Sequence, residues 1–200
     1  MKTFFALLFL AVSALAQPVS VGLKAGVPFN RAQSVVQGLA LDSQYWTVGP
    51  TLEVALPWSL AVGVDALYRR FDASFNRNVG AAAFSQATES GHWEFPLYLK
   101  YRFGKVPFHP FVAAGGAASY ARITNTASCA GDPLLCGSTG AYNVTLKSTR
   151  AGGGLLFGGG LEFRAGVVKI APEVRYTRWF TGFLNHDSGN QAELLLGIRF

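Results

Sequence analysis

The sequence predicts an all-β fold, an eight-stranded antiparallel transmembrane β-barrel, and three observations carry that expectation. The last ten residues, Gln191 to Phe200, alternate: Ala192, Leu194, Leu196, Ile198 and Phe200 share one face of a strand, and Gln191, Glu193, Leu195, Gly197 and Arg199 share the other. One face is oily and the other carries charge. The same alternation recurs in strand-length segments of a chain that is 50% hydrophobic and holds 23 glycines, yet past the first residues no apolar run approaches the ~20 residues of a membrane helix. The connections between these segments are alternately short and long, as in a barrel with tight turns at one end and long loops at the other.

The N-terminus sets the compartment. Lys2 opens a short basic region, Phe4 to Leu15 is apolar but too short to span a bilayer, and Ala14-Leu15-Ala16 has the small-x-small form of a cleavage site. Residues 1–16 are therefore expected to be an export signal and residues 17–200 the barrel domain. No cysteine follows the cleavage site, which argues against a lipid anchor.

The strands follow in order. The first, about Val19 to Phe29, sets Val19, Val21, Leu23, Ala25 and Val27 against Ser20, Gly22, Lys24 and Gly26. The second, about Gln44 to Leu56, opposes Trp46, Val48, Leu52 and Val54 to Thr47, Thr51 and Glu53, and Leu56-Pro57-Trp58 reverses it into a third that reaches about Phe71. There Leu60, Val62, Val64, Ala66 and Tyr68 oppose Gly63, Asp65 and Arg69. The fourth, about His92 to Phe103, has the sharpest contrast, with Trp93, Phe95, Leu97, Leu99, Tyr101 and Phe103 on one side and Glu94, Tyr98, Lys100 and Arg102 on the other. The fifth, about His109 to Arg122, is rich in Ala and Gly, and its register is not readable. The sixth, about Ala151 to Arg164, places Leu155, Phe157, Leu161 and Phe163 against Gly158, Gly160 and Glu162. The seventh, about Val167 to Phe180, places Val168, Ile170, Val174 and Tyr176 against Lys169, Glu173, Arg175 and Thr177. Four long polar connections are expected at 30–43, 72–91, 123–147 and 181–190.

A soluble barrel would hide its apolar face inside and show charge outside. Here the charged face holds too many charges to be a good exterior for so aromatic a chain, so the apolar face is assigned to lipid and the charged face to the interior. The expected interior set is Lys24, Glu53, Asp65, Arg69, Glu94, Lys100, Arg102, Glu162, Arg164, Lys169, Glu173, Arg175, Glu193 and Arg199. An eight-stranded barrel is just wide enough for its side chains, so these groups must pair with one another or with water, which makes a polar plug; a narrow channel is the alternative.

Other motifs carry less. Cys129 and Cys136 flank Ala-Gly-Asp-Pro-Leu-Leu, and in an oxidising compartment a disulfide between them would order a small loop; metal binding would need more ligands than this pair supplies. His186 and Ser188 stand two apart beside Glu193, but Asn185 to Asn190 reads as a loop tip, where a His-x-Ser is ordinarily polar surface. The glycine triplets 152–154 and 158–160 lack a following Lys-Ser or Lys-Thr, so close packing accounts for them better than a phosphate loop. Asn143-Val144-Thr145 has the letters of a glycosylation acceptor, which would carry little weight if the cell is bacterial. The formal net charge of +6 comes from Lys and Arg dispersed singly along the strands, which excludes nucleic acid and suits lipopolysaccharide phosphates or anionic lipid headgroups. No cofactor is indicated.

With these residues in view, the chain resembles the small bacterial outer-membrane β-barrels related to the OmpA membrane domain and to OmpX. A closing strand that ends on an aromatic residue, as Phe200 does, resembles the assembly signal of that family, which implies recognition of Phe200 by the barrel-assembly machinery. The segment Glu173-Val174-Arg175-Tyr176-Thr177-Arg178-Trp179 is also similar to stretches of bacterial barrel proteins. The resemblance implies a location in the outer membrane, short turns in the periplasm, long loops outside the cell and a monomer without enzymatic activity. The expected role is structural or surface-interacting through the loops, with a loop partner the sequence does not name. No counterpart of OmpA's following peptidoglycan-binding domain is expected, so the resemblance does not carry over an envelope-tethering role. A second resemblance, of His186, Ser188 and Glu193 to small-barrel lipid A deacylases, matches in spacing only in part.

Overall fold

The computed structural model describes residues 19–29, 46–104, 108–180 and 189–200. The expected export signal, the first long connection at 30–43, and residues 181–188 of the last one, with His186 and Ser188 among them, lie outside the described residues.

Nine strands form one antiparallel sheet that closes on itself. They are β1 (Val19–Pro28), β2 (Thr47–Ala55), β3 (Leu60–Asp65), β4 (Leu67–Val79), β5 (Ala82–Arg102), β6 (Phe108–Ala130), β7 (Ala141–Ala165), β8 (Val168–Trp179) and β9 (Asn190–Arg199). β3 and β4 are separated only by Ala66, whose N–H donates to the carbonyl of Pro50 at 3.0 Å, and both run between β2 and β5. They are one wall, so the barrel has eight. Closure is made by β1, which pairs with β2 through Val19↔Val54 and with β9 through Gly22↔Arg199. Every ladder N–H and C=O of the spanning part can find its partner inside the ring, as a sheet in lipid requires.

Two turns at the periplasmic end are tight. Trp58 and Ser59 both hold positive φ, 60° and 63°, and Leu60 N–H donates to Pro57 C=O at 3.4 Å, a two-residue hairpin of the kind whose twist matches the strands it joins. Gly166, at φ 62°, serves the β7–β8 turn.

The outer surface divides into bands. Phe95, Leu97 and Leu99 are exposed between an upper aromatic girdle, where Tyr68 and Trp93 have ring centroids 5.1 Å apart, and a lower one, where Tyr101–Phe103 and Phe108–Phe163 lie at 4.8 and 5.1 Å. From Trp93 to Phe103 the strand rises roughly 34 Å along its length, about 26 Å of height at a tilt of about 40°, which fits the apolar band of an outer-membrane barrel.

The structure corrects two expectations. The stretches 72–91 and 123–147 are not irregular loops: β4 and β5 stay paired from Leu67↔Glu94 to Val79↔Ala82, and β6 and β7 from Phe108↔Phe163 to Ala130↔Ala141. Two hairpins therefore stand above the girdle, and β5, β6 and β7 reach 21, 23 and 25 residues where β1 and β9 have 10. These stretches hide from a search for lipid-facing apolar residues because their outward face is polar. The second correction is Arg164, which is exposed at the periplasmic rim because β7 has left the lumen there. The register of β6 is now fixed, with Phe111, Ala113, Ala117, Ser119 and Ala121 buried inside.

Candidate functional site: the barrel interior and the outer hairpins

Alternation alone places the charged face inward; packing then sorts it into three clusters. Nearest the periplasm, the carboxylates Glu53 and Glu162 meet the cations Lys100, Arg102 and Arg199. Lys100 Nζ donates to Glu53 Oε2 at 2.6 Å, Arg199 Nη2 to Glu162 Oε2 at 2.6 Å and Arg102 Nε to Glu162 Oε1 at 3.2 Å. Arg102 and Arg199 both donate to Glu53 as well. Lys169, on the same level, donates to Ser20 Oγ at 2.5 Å.

The middle cluster is built on Asp65. Thr51 Oγ1 donates to Asp65 Oδ1 at 2.6 Å, Lys24 Nζ to Oδ2 at 2.9 Å, Arg175 Nη2 to Oδ2 at 2.9 Å and the Tyr98 hydroxyl to Oδ1 at 3.1 Å. Glu173 takes the other sides of the two cations, at 3.1 Å from Lys24 Nζ and 2.8 Å from Arg175 Nη2. Five walls thus converge on one carboxylate and its neighbours. A charge buried this deep persists only where partners surround it.

The upper cluster has Arg69 between Glu94, to which it donates, and Glu193, whose Oε1 lies 3.3 Å from Arg69 Nη2. His92 Nε2 is 3.0 Å from Glu94 Oε1, Gln191 Nε2 donates to Glu94 at 3.1 Å, and the Trp179 indole N–H donates to Gln191 Oε1 at 2.9 Å. The sequence reading missed His92, Gln191 and Trp179 as members of this cluster. Their inward parity was available, but only the register showed that three separate strands bring them to one height.

The size of these side chains is matched by their absence elsewhere. A Cβ on Gly63 would stand 2.4 Å from the Tyr98 ring, and one on Gly160 would stand 2.8 Å from Phe111, so the glycines are the space the rings occupy. Between the middle and upper clusters the inward positions of three walls are leucines, Leu67, Leu156 and Leu195, all fully buried. The lumen is therefore filled at successive heights by charge, charge, hydrocarbon and charge. The lowest level carries surplus cation and the highest surplus carboxylate.

Cys129 and Cys136 form a disulfide, with Cα atoms 5.4 Å apart, at the tip of the β6–β7 hairpin. A one-turn helix, α1 (Pro133–Cys136), leads to it, capped by Asp132, whose side chain accepts from Leu134 N–H. The bridge packs on Ala82 and Phe84, tying the second hairpin to the first. No group of metal-ligating side chains is assembled among the described residues. Phe200 closes the ring by exchanging backbone hydrogen bonds with Val21, at 2.9 and 3.2 Å, and its ring is exposed on the lipid side.

A closed antiparallel ring with an oily exterior, two aromatic girdles and a polar interior defines a transmembrane β-barrel of the outer-membrane kind. The family model described as outer membrane protein beta-barrel domain matches residues 15–185, and the chain belongs to that family. It resides in the outer membrane. No curated protein matches the sequence. Solved structures similar to it include Ail, the attachment invasion locus protein of Yersinia pestis, at 12% identity over 91% of this chain and 96% of that one, with a TM-score of 0.46. The N-terminal β-barrel domain of Pseudomonas aeruginosa OprF is similar at 16% identity over 90% and 97%, with a TM-score of 0.44. Neisserial surface protein A is similar at 17% over 90% and 95%, with a TM-score of 0.44.

Proposed function

We propose that the protein is a closed barrel serving as a rigid pedestal, and that its work is contact outside the cell through the two hairpins raised above the membrane. The single observation that carries this reading is the filling of the lumen by cross-strand ion pairs and buried leucines at four heights, while the longest strands are spent on surface that no bilayer covers. A selectivity filter needs a continuous polar path; here Leu67, Leu156 and Leu195 interrupt it.

The rest of the reading follows from export. Residues 1–16 are removed, the barrel-assembly machinery recognises the closing strand through Phe200, and the mature chain works as a monomer among outer-membrane lipid and lipopolysaccharide. It carries no hydrolase and needs no cofactor.

Current through a planar bilayer tests the pedestal. The purified barrel is expected to add no ion current over the bare bilayer, and replacing 72–89 and 124–147 by short turns is expected to leave its heat-dependent gel shift unchanged. A steady open-state current from the intact chain would favour the channel instead.

A further inference from the structure

The alternation of β4 to β7 does not stop at the upper girdle; it changes sense. Below it, outward positions are apolar and inward ones polar. Above it, outward positions are Asp72, Ser74, Asn76, Glu89, Thr124, Thr145 and their like, while the lumen-side face of the same sheet presents Phe75, Val79, Phe84, Tyr142, Val144 and Leu146. Tyr142, Val144 and Leu146 are 42%, 47% and 66% exposed. A cavity of about 380 Å³ opens on this face between Phe75, Arg77, Val79, Phe84, Gln86 and Tyr142. The disulfide covers the face at its top and leaves the rest open. The charged groups on the lumen side of the two hairpins are Arg77 and Arg150, with no carboxylate among them, whereas the outer side mixes Arg70, Arg122 and Lys147 with the acids Asp72 and Glu89.

We propose that this concave face is a docking surface for an acidic amphipathic α-helix of an extracellular partner protein. Its apolar stripe would lie on Phe75, Phe84, Tyr142 and Leu146, and its carboxylates at Arg77. The proposal deepens the surface-contact reading and rests on it. Four strands at their ordinary spacing are about 14 Å across, which takes one helix of about 10–12 Å diameter and not two. Nine residues of β4 above the girdle rise roughly 30 Å, and with the disulfide occupying the top about four helical turns remain. An apolar face with cations and no carboxylate selects a partner that brings both hydrocarbon and negative charge, as grooves that receive helices do.

The test is a fluorescence-anisotropy titration on the full chain in lipid nanodiscs, with empty nanodiscs as reference. The probe is a synthetic 17-residue helix with a leucine stripe and glutamates on its flanks; the controls carry lysine for glutamate, or serine for leucine. The acidic leucine peptide is expected to bind at least tenfold more tightly than either control. Arg77→Glu should weaken it about tenfold and shift preference to the lysine peptide. Leu146→Glu should abolish saturable binding, with the heat-dependent gel shift of both variants showing that the barrel is folded. Equal binding of the two charged peptides, indifference to Arg77→Glu, or no saturable binding at all would overturn the proposal. So would binding that appears only when residues 33–42 are deleted, which would make the chain's own first loop the occupant. A concentration-dependent dimer lost in Leu146→Glu would overturn it too, in favour of a second copy. A conducting barrel would defeat the pedestal and leave this titration unaffected, so the two failures are separable.

Discussion

On β5, Trp93, Phe95, Leu97 and Leu99 face outward and Glu94, Tyr98 and Lys100 face inward, whereas some ten residues earlier Ser85, Ala87 and Glu89 face outward and Ala82 and Phe84 inward. One strand, in one unbroken ladder, carries both patterns. In the lower part lipid touches the outside, so hydrocarbon goes there and the polar groups must satisfy one another in the lumen. In the upper part water touches the outside, and the sheet behaves like any half-buried antiparallel sheet with its apolar face turned toward the axis. The comparison teaches that the backbone pairing is indifferent to the medium and the side chains are not.

The sharpest break should come from the middle cluster. Asp65→Ala leaves Lys24 and Arg175 facing each other across Tyr98 with only Glu173 between them, and removing one partner of a buried ion pair costs about 3–5 kcal/mol. The midpoint of urea unfolding in lipid vesicles should fall accordingly. A barrel as stable as the wild type would mean that the lumen is hydrated rather than plugged.

Next in size is the contrast between two outward positions of β5. Leu97→Arg puts a charge at mid-membrane, 58% exposed to lipid, and should cost about 2–4 kcal/mol, whereas Ser85→Arg above the girdle should stay within about 0.5 kcal/mol. Equal losses, read as folded fraction by gel shift, would place both residues in the same medium.

These two regions were unequally legible. The closing strand and β5 read directly from sequence because apolar-out alternation over aromatic residues is a strong signal, and the parity of Lys24, Glu53, Asp65 and Glu173 followed from it. Ser74, Asn76, Thr124 and Thr145 read as loop because a strand in lipid carries oil on its outer side, although Phe71, Phe75 and Val79 still alternate in the opposite sense. β6 was unreadable for another reason: Ala113 and Ala117 are the small residues packed with Tyr98 and Leu156, Ala121 lies opposite His92, and alanine announces neither face. Which carboxylate meets which cation depends on the stagger between walls, which no single strand encodes.

The disulfide offers a smaller effect, confined to the hairpins. Cys129→Ser with Cys136→Ser should release a loop whose closure is worth about 2–3 kcal/mol of order in the chain-entropy account. Protease should then cleave between 131 and 140 sooner, while the gel shift of the barrel stays put. A lowered barrel stability would show that the two regions are coupled.

The smallest expected effect is none. Ser188→Ala should leave the lipid A mass profile of expressing cells unchanged, because Asn185 to Asn190 reads from its sequence as a loop tip, with no sequence sign of the positioned oxyanion donors that acyl transfer relies on. If the wild type removed an acyl chain and Ser188→Ala did not, the pedestal would give way to a hydrolase.

The change of sense at the girdle can be measured directly by quenching with brominated lipid. A fluorescent amino acid placed singly at outward positions 95, 97 and 99 should be quenched strongly, and the same group at outward positions 85, 87 and 89 should not. Quenching along the whole outward row, or at neither set, would contradict the account.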